Sequence, residues 1–159
     1  MSDLEELFDH VVVNERTGVL TWLKGKTRGK EAGTIDTTGY KRFKFKGKMY
    51  AAHRVVWAIY KGSLPEGNLD HINGNKRDNN IHNLRLCTPS QNQANQKKSI
   101  KNTTGHKDVT FVEKLGLYRV RVSIDRKRYE FGYHEKIEDA ALVATTARIA
   151  LHKEFANHE

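Results

Sequence analysis

Asp70 and His71 stand side by side, and Asn83 and Asn92 follow them at set distances along one polar stretch. The stretch reads Leu69-Asp70-His71-Ile72-Asn73-Gly74-Asn75, then Asn79-Asn80-Ile81-His82-Asn83-Leu84-Arg85, then Thr88-Pro89-Ser90-Gln91-Asn92. Leu69 to Ile72 forms a candidate strand, Leu84-Arg85-Leu86 alternates as a second, and a Gly74-centred loop joins them. Thr88-Pro89-Ser90-Gln91 carries the marks of a helix start. Thr88 is the N-cap, Pro89 takes the first helical position, and Gln91 closes a capping box. Strand, loop, strand, helix is a compact way to bring residues 70, 71 and 92 together, with Asn83 holding the loop shut by amide hydrogen bonds. Asn73, Asn75, Asn79 and Asn80 read as turn formers. His82 is expected to face the other way along the strand, in a structural role.

The residue types in this arrangement point to a chemistry. A single cysteine, Cys87, rules out a sulfur-based metal cage. Asp70 and Asn92 offer hard oxygen ligands, which favour Mg²⁺ or Mn²⁺ over Zn²⁺. Two protein ligands leave positions for phosphate and water. A neutral imidazole such as His71, with an ordinary pKa of about 6.5, can take a proton from water near neutral pH. Lys and Arg total 28 against 19 Asp and Glu, giving +9 and a pI near 9.7, a balance that favours a polyanionic partner. Together these features suggest metal-dependent phosphodiester hydrolysis.

A chain of 159 residues with 37% hydrophobic content has room for small modules rather than one large core. No apolar run approaches the roughly 18 residues that span a bilayer, so no membrane association is expected. Met1-Ser2-Asp3-Leu4-Glu5-Glu6 is acidic and lacks the basic start and apolar middle of a signal peptide. Cys87 has no second cysteine to pair with, which points to a reducing, intracellular setting.

Three regions are expected. Residues 1–96 form the first, with a short helical pattern at Leu4, Leu7 and Phe8 and strands at Val11 to Val13 and Val19 to Leu23. A basic hairpin at Tyr40 to Ala51 follows, then a helix from Ala52 to Lys61 that ends at Gly62. His53 and Arg54 open that helix, either supporting the site and binding phosphate or serving as ordinary structural residues. Residues 97–106 read as a basic linker in which Lys97 and Lys98 can track phosphates; Lys107 continues the run. In the last region, 107–159, strands are expected at 109–112, 117–124 and 127–133, with a turn at Asp125-Arg126. A helix from Glu138 to about His152 follows, its alanine-rich face lying close on the sheet.

The Asp70-His71, Asn83 and Asn92 set resembles the H-N-N branch of the HNH (ββα-metal) nucleases found among phage and intron homing endonucleases. The stretch from Glu15 to Tyr60, with Thr17-Gly18, Gly39-Tyr40, Gly47-Lys48 and Ala52-His53-Arg54-Val55-Val56-Trp57, is similar to the lead-in of phage members. The resemblance implies an α+β fold with a ββα-metal core at about 66–96 behind a β-rich lead-in. It also implies His71 as general base, Asp70 and Asn92 on the metal, and Asn83 ordering the loop and orienting the base. Asn92 stands where many members have histidine, which weakens a zinc assignment.

The last region resembles the APETALA, or ethylene-response, DNA-binding domain through Leu117 to Val122, Arg126 to Tyr133, Glu138-Asp139-Ala140-Ala141 and Ala150 to Ala156. By that resemblance a three-stranded sheet backed by one helix enters the major groove of double-stranded DNA. Arg119, Arg121, Arg126 and Arg128 are its candidate readers, with Lys127 beside them. Arginines that touch only phosphate would position the chain without reading sequence.

The expectation is thus a phage-encoded endonuclease acting in the host cytoplasm, as a monomer or homodimer. One set of site residues per chain makes nicking the default for a monomer. Two readings compete, a noncatalytic DNA-binding regulator on a retained nuclease fold and a ribonuclease or RNA-binding module. The intact four-residue set opposes the first, and a groove-reading sheet opposes the second.

Overall fold

The computed structural model describes residues 3–157, so Met1 and Ser2 of the acidic start lie outside the described residues, as do His158 and Glu159 at the end of the expected last region. The architecture is α+β, built of small sheets and a few helices. It divides into two compact units, one ending at Leu86 and the other beginning at Cys87, inside the segment expected to close the first region. No helix among the described residues is long and apolar enough to cross a membrane.

In the first unit, Leu4, Leu7 and Phe8 lie along α1 (Asp3–Phe8) and turn inward. The hairpin of β1 (Val11–Val13) and β2 (Leu20–Trp22) follows, Val11 opposite Trp22. Asn14 shapes its turn, accepting from the backbone N–H groups of Arg16 at 3.0 Å and Thr17 at 3.2 Å. A second sheet has the order β3 (Thr34–Ile35), β4 (Lys41–Phe45), β5 (Lys48–Ala51). Its first strand is too short for a periodic signal and was not foreseen. Lys46 and Gly47 both have positive φ, 45° and 81°, the two-residue turn that matches strand twist. α2 (Ala52–Lys61) stops where Gly62 enters the left-handed region at φ 80° and donates to Ala58 O.

Phe43, Ala52, Val55 and Val56 from these elements join Leu7, Val11 and Leu20 in one core. Leu84, the first residue of β7 (Leu84–Cys87), is buried in the same core. β7 pairs with β6 (Asn68–His71), so the strands bearing the polar residues are anchored on the lead-in by apolar packing. β6 starts and ends one residue ahead of the expected strand. Ile72 is already in the loop, 45% exposed, with its N–H bonded to Asn83 O at 2.9 Å.

The second unit opens with α3 (Pro89–Ala94), and the expected capping box is present. Gln91 N donates to Thr88 Oγ1 at 3.2 Å, and Thr88 N donates to Gln91 Oε1 at 2.7 Å. No helix or strand occurs between Ala94 and Val109. The closing sheet has the order β10 (Lys127–His134), β9 (Leu117–Ile124), β8 (Val109–Val112). Asp125 and Arg126 link β9 to β10 with φ of 49° and 65°, again a two-residue turn with both φ positive. α4 (Ile137–His152) covers one sheet face, burying Ala140 and Ala144 against Val109 and Val120. The buried line continues to Ala147, whereas Ile149 and Ala150, expected on the packed face, are exposed. α3 packs on β9 and on the 3-10 turn at Lys153–Phe155.

Candidate active site

Asp70 and His71 end β6 with only 5% and 3% of their surfaces exposed. A carboxylate and an imidazole that far from water need partners. Asp70 finds one on the paired strand. Arg85 of β7 donates to its Oδ2 from Nε and from Nη2, each at 2.9 Å. His71 finds another in the loop, where its Nε2 lies 3.0 Å from Oδ1 of Asn79, itself buried. An amide oxygen can only accept, so Nε2 carries the proton and Nδ1 is the basic nitrogen. Burial holds the His71 pKa below the usual imidazole value, and the Asn79 hydrogen bond offsets part of that effect. The ring is therefore neutral near pH 7, the state a proton acceptor requires.

Asn83 sits in the 3-10 turn Ile81–Asn83 and closes the loop. Its Nδ2 donates to Asn73 Oδ1 at 3.0 Å and to Asp78 O at 2.8 Å, while its Oδ1 accepts from Asn73 N at 3.0 Å. His82 lies in the same 3-10 turn rather than in a strand, exposed, with its N–H on Asn80 Oδ1 at 2.9 Å. Asn80 also ties the loop to the lead-in by donating from Nδ2 to Arg16 O at 2.6 Å. At that crossing Gly18, buried and at φ 68°, presses its Cα against the backbone of Asn79 and Asn80, and any Cβ there would overlap them.

An aromatic cluster backs His71. The His53 ring stands edge-on to it at 5.3 Å between centroids, and Tyr40 lies 5.0 Å from His53 and 5.9 Å from His71. Lys76 places its Nζ over the Tyr40 ring at 4.7 Å. His53 is buried, and its Nδ1 has no hydrogen-bond partner. Burial, followed by the neighbouring His71 charge, pushes its pKa down to about 4. Arg54 points elsewhere. It donates to Pro65 O at 2.7 Å and Gly67 O at 3.0 Å, pinning the segment that leads into β6.

The structure therefore brings Asp70, His71 and Asn83 together on β6, its loop and the start of β7. Asn92 is carried by α3, half-buried, in the unit that begins at Cys87. Three supporting residues were missed in the sequence. Asn79 was read as a turn former but is buried against His71. Arg85 was read only as the polar member of an alternating strand, although its place on the strand paired with Asp70 was a usable signal. Tyr40 stood out only in the Gly39-Tyr40 pair of the lead-in, with no sign that its ring meets His53 and His71.

On the second unit, Arg119 and Arg121 share the sheet face away from α4, with Val120 and Val122 buried beneath. Cross-strand register adds Arg128, opposite Ser123, and Glu130, opposite Arg121, to that open face. Arg121 Nη2 donates to Glu130 Oε2 at 2.9 Å, and Arg119 is half-buried with its Nε unpaired. Arg126 is exposed in the turn, while Lys127 pairs with Ile124 on the α4 side. Lys97 and Lys98 are exposed in the segment after α3. Lys107, expected to continue the phosphate-tracking run, is committed internally, its Nζ donating to Ala94 O at 2.8 Å and Gln96 O at 2.5 Å.

A family model for HNH endonucleases matches residues 50–94, the span that runs from β5 to α3 and contains all four site residues. Protein 3.8 of Escherichia phage T7 is 33% identical over 105 residues, 65% of this chain and 86% of that relative. The chain belongs to the HNH endonuclease family. Among solved structures it is similar to the HNH homing endonuclease I-HmuI, from work on that enzyme's DNA binding and cleavage. Identity there is 37%, over 55% of this chain and 51% of the other, with a TM-score of 0.43. The chain thus spans about half the length of that solved structure.

Proposed function

We propose that this chain is a metal-dependent endonuclease that hydrolyses phosphodiester bonds in double-stranded DNA, nicking one strand when it acts as a monomer. The observation that carries the proposal is the state of His71: buried, neutral, and fixed by Asn79 so that Nδ1 is the basic nitrogen beside a carboxylate. His71 accepts a proton from the attacking water at Nδ1. Asn83 keeps the loop that carries Asn79 closed, and so holds the imidazole in register. Tyr40 and His53 wall the ring off on another side.

Asp70 and Asn92 are the proposed ligands of a divalent cation. One carboxylate and one amide fit Mg²⁺, or Mn²⁺, which retain several waters, and suit Zn²⁺ poorly. When bound, such an ion stabilises negative charge on the phosphate and on the departing 3′ oxygen. The open face of the second unit, with Arg119, Arg121 and Arg128, is proposed to contact duplex DNA in the manner of an APETALA-type sheet. Arg126, Lys127, Lys97 and Lys98 would then lie along phosphates. A phage-encoded enzyme of this kind would act in the host cytoplasm, as a monomer or a homodimer.

Supercoiled plasmid incubated with Mg²⁺ should convert to open-circle product, and EDTA should stop the conversion. No conversion over several duplex substrates, with Mg²⁺ or Mn²⁺, defeats the proposal.

A further inference from the structure

Asp70 poses an energetic problem whenever no divalent cation is present. Its side chain is only 6% exposed, and a buried carboxylate without a counter-charge strongly opposes folding. Arg85 solves that problem from within the chain. Its side chain is itself mostly buried, 16% exposed, and both Nε and Nη2 reach the same atom, Asp70 Oδ2, at 2.9 Å. The pair links β6 to β7, the two strands that flank the Asn73–Asn83 loop. A divalent cation arriving at this carboxylate meets a fixed positive charge already in contact with it, and like charges at such short range oppose each other strongly.

We propose that Arg85 is the resident counter-ion of Asp70, holding the β6–β7 pair together while the cation is absent and competing with the cation when it binds. The inference rests on the reading of Asp70 as a metal ligand. It makes two linked statements: the fold does not depend on metal, and metal affinity is held below what the bare carboxylate would give. Arg85 is thus a positioning residue whose removal should move stability and ion affinity in opposite directions.

Thermal unfolding of the full chain, in EDTA and across an Mn²⁺ titration, separates the possibilities. Wild type should melt cooperatively in EDTA and gain modestly from Mn²⁺. Arg85→Met should melt at lower temperature in EDTA, gain more from the ion, and reach half-saturation at about tenfold lower Mn²⁺. Arg85→Lys, which keeps the charge, should stay near the wild-type half-saturation point. Asp70→Asn should show no Mn²⁺ response. Folding of Arg85→Met only when Mn²⁺ is present also supports the proposal, because the ion then replaces the guanidinium. If Arg85→Met folds under neither condition, Arg85→Gln carries the same expectation. A neutral variant that saturates at the wild-type Mn²⁺ concentration, with Asp70→Asn unresponsive, overturns the role of Arg85 and leaves Asp70 as ligand. An Mn²⁺ response that survives in Asp70→Asn overturns both.

Discussion

In the unit that ends at Leu86, the ionisable groups that matter are sealed from water and tied to one another. Asp70 is held by Arg85, His71 by Asn79, and the loop between them by Asn83. In the unit that begins at Cys87, Arg121, Arg128 and Glu130 stand on an uncovered sheet face, where Arg121 and Glu130 meet in an exposed ion pair. The first arrangement is preorganised: its dipoles are fixed before any substrate arrives, and a change to one member strands another in a poorly hydrated place. The second is adaptable, because water can replace any partner at little cost. Chemistry needs the former, and sliding over a polyanion is served by the latter. Disturbing each unit in turn tests the contrast, and the effects should shrink on passing from the buried set to the exposed one.

The largest effect is expected at His71. His71→Ala should lower plasmid cleavage by about 10²–10⁴-fold, the usual cost of an essential general base, while DNA retention in a mobility-shift assay stays at the wild-type level. Cleavage that survives the substitution would show that the proton goes elsewhere. A parallel loss of DNA binding would show that the buried set is not separable from the exposed one.

Gly18 comes next. Its φ of 68° and its contact with the Asn79–Asn80 backbone leave no place for a Cβ. Gly18→Ala should cost about 3 kcal/mol of stability in denaturant unfolding, by combining left-handed strain with displacement of the loop. Cleavage should fall as well, because Asn79 is the residue that orients His71. A stable Gly18→Ala protein with full activity would mean that the loop tolerates movement, and the preorganisation argument would fail.

This position also marks where the sequence stopped being informative. Elements whose signal is local were legible: the capping box at Thr88 and Gln91, the Asp125-Arg126 turn, the strands at 109–112 and 117–124, and the alternation of Val120 and Val122 with Arg119 and Arg121. The hydrogen bonds that Asn83 makes across the loop were legible too, from its place at the loop's end. Asn79, Arg85 and Gly18 carried no local signal for their parts, which depend on partners in other elements, and only the pairing of Arg85's strand with that of Asp70 pointed to one of them. Four turn-like asparagines look alike in sequence, yet only Asn79 among them is buried. The unit boundary at Leu86 was also invisible, since α3 follows β7 without a composition change while packing on β9.

A smaller effect is expected from acid. The His53 pKa lies at about 4 in the folded chain, against about 6.5 when unfolded. Between those values the unfolded chain binds more protons, so stability falls as pH drops from about 6.5 toward 4 and is fully present above that window. The contribution is on the order of 3 kcal/mol. His53→Phe keeps a ring beside Tyr40 and His71 but cannot titrate, so its unfolding free energy should fall less steeply over the same range. An unchanged slope would assign the acid sensitivity to other groups, His71 first among them, since burial shifts it in the same direction.

The smallest effect on stability belongs to the open face, and its diagnostic value lies in sign. The Arg121–Glu130 pair is exposed on both sides, at 33% and 40%, so Glu130→Ala should leave the melting temperature essentially unchanged. The same substitution removes the carboxylate that faces Arg121, freeing that guanidinium and deleting a charge that repels phosphate. DNA affinity should therefore rise in Glu130→Ala and fall in Arg121→Ala, with the salt dependence of binding shallower in the latter. If both variants weaken binding, the pair acts as one reading element in which the acid accepts from a base edge, and this face is preorganised as well. If neither variant changes binding, the sheet is not the surface that meets DNA.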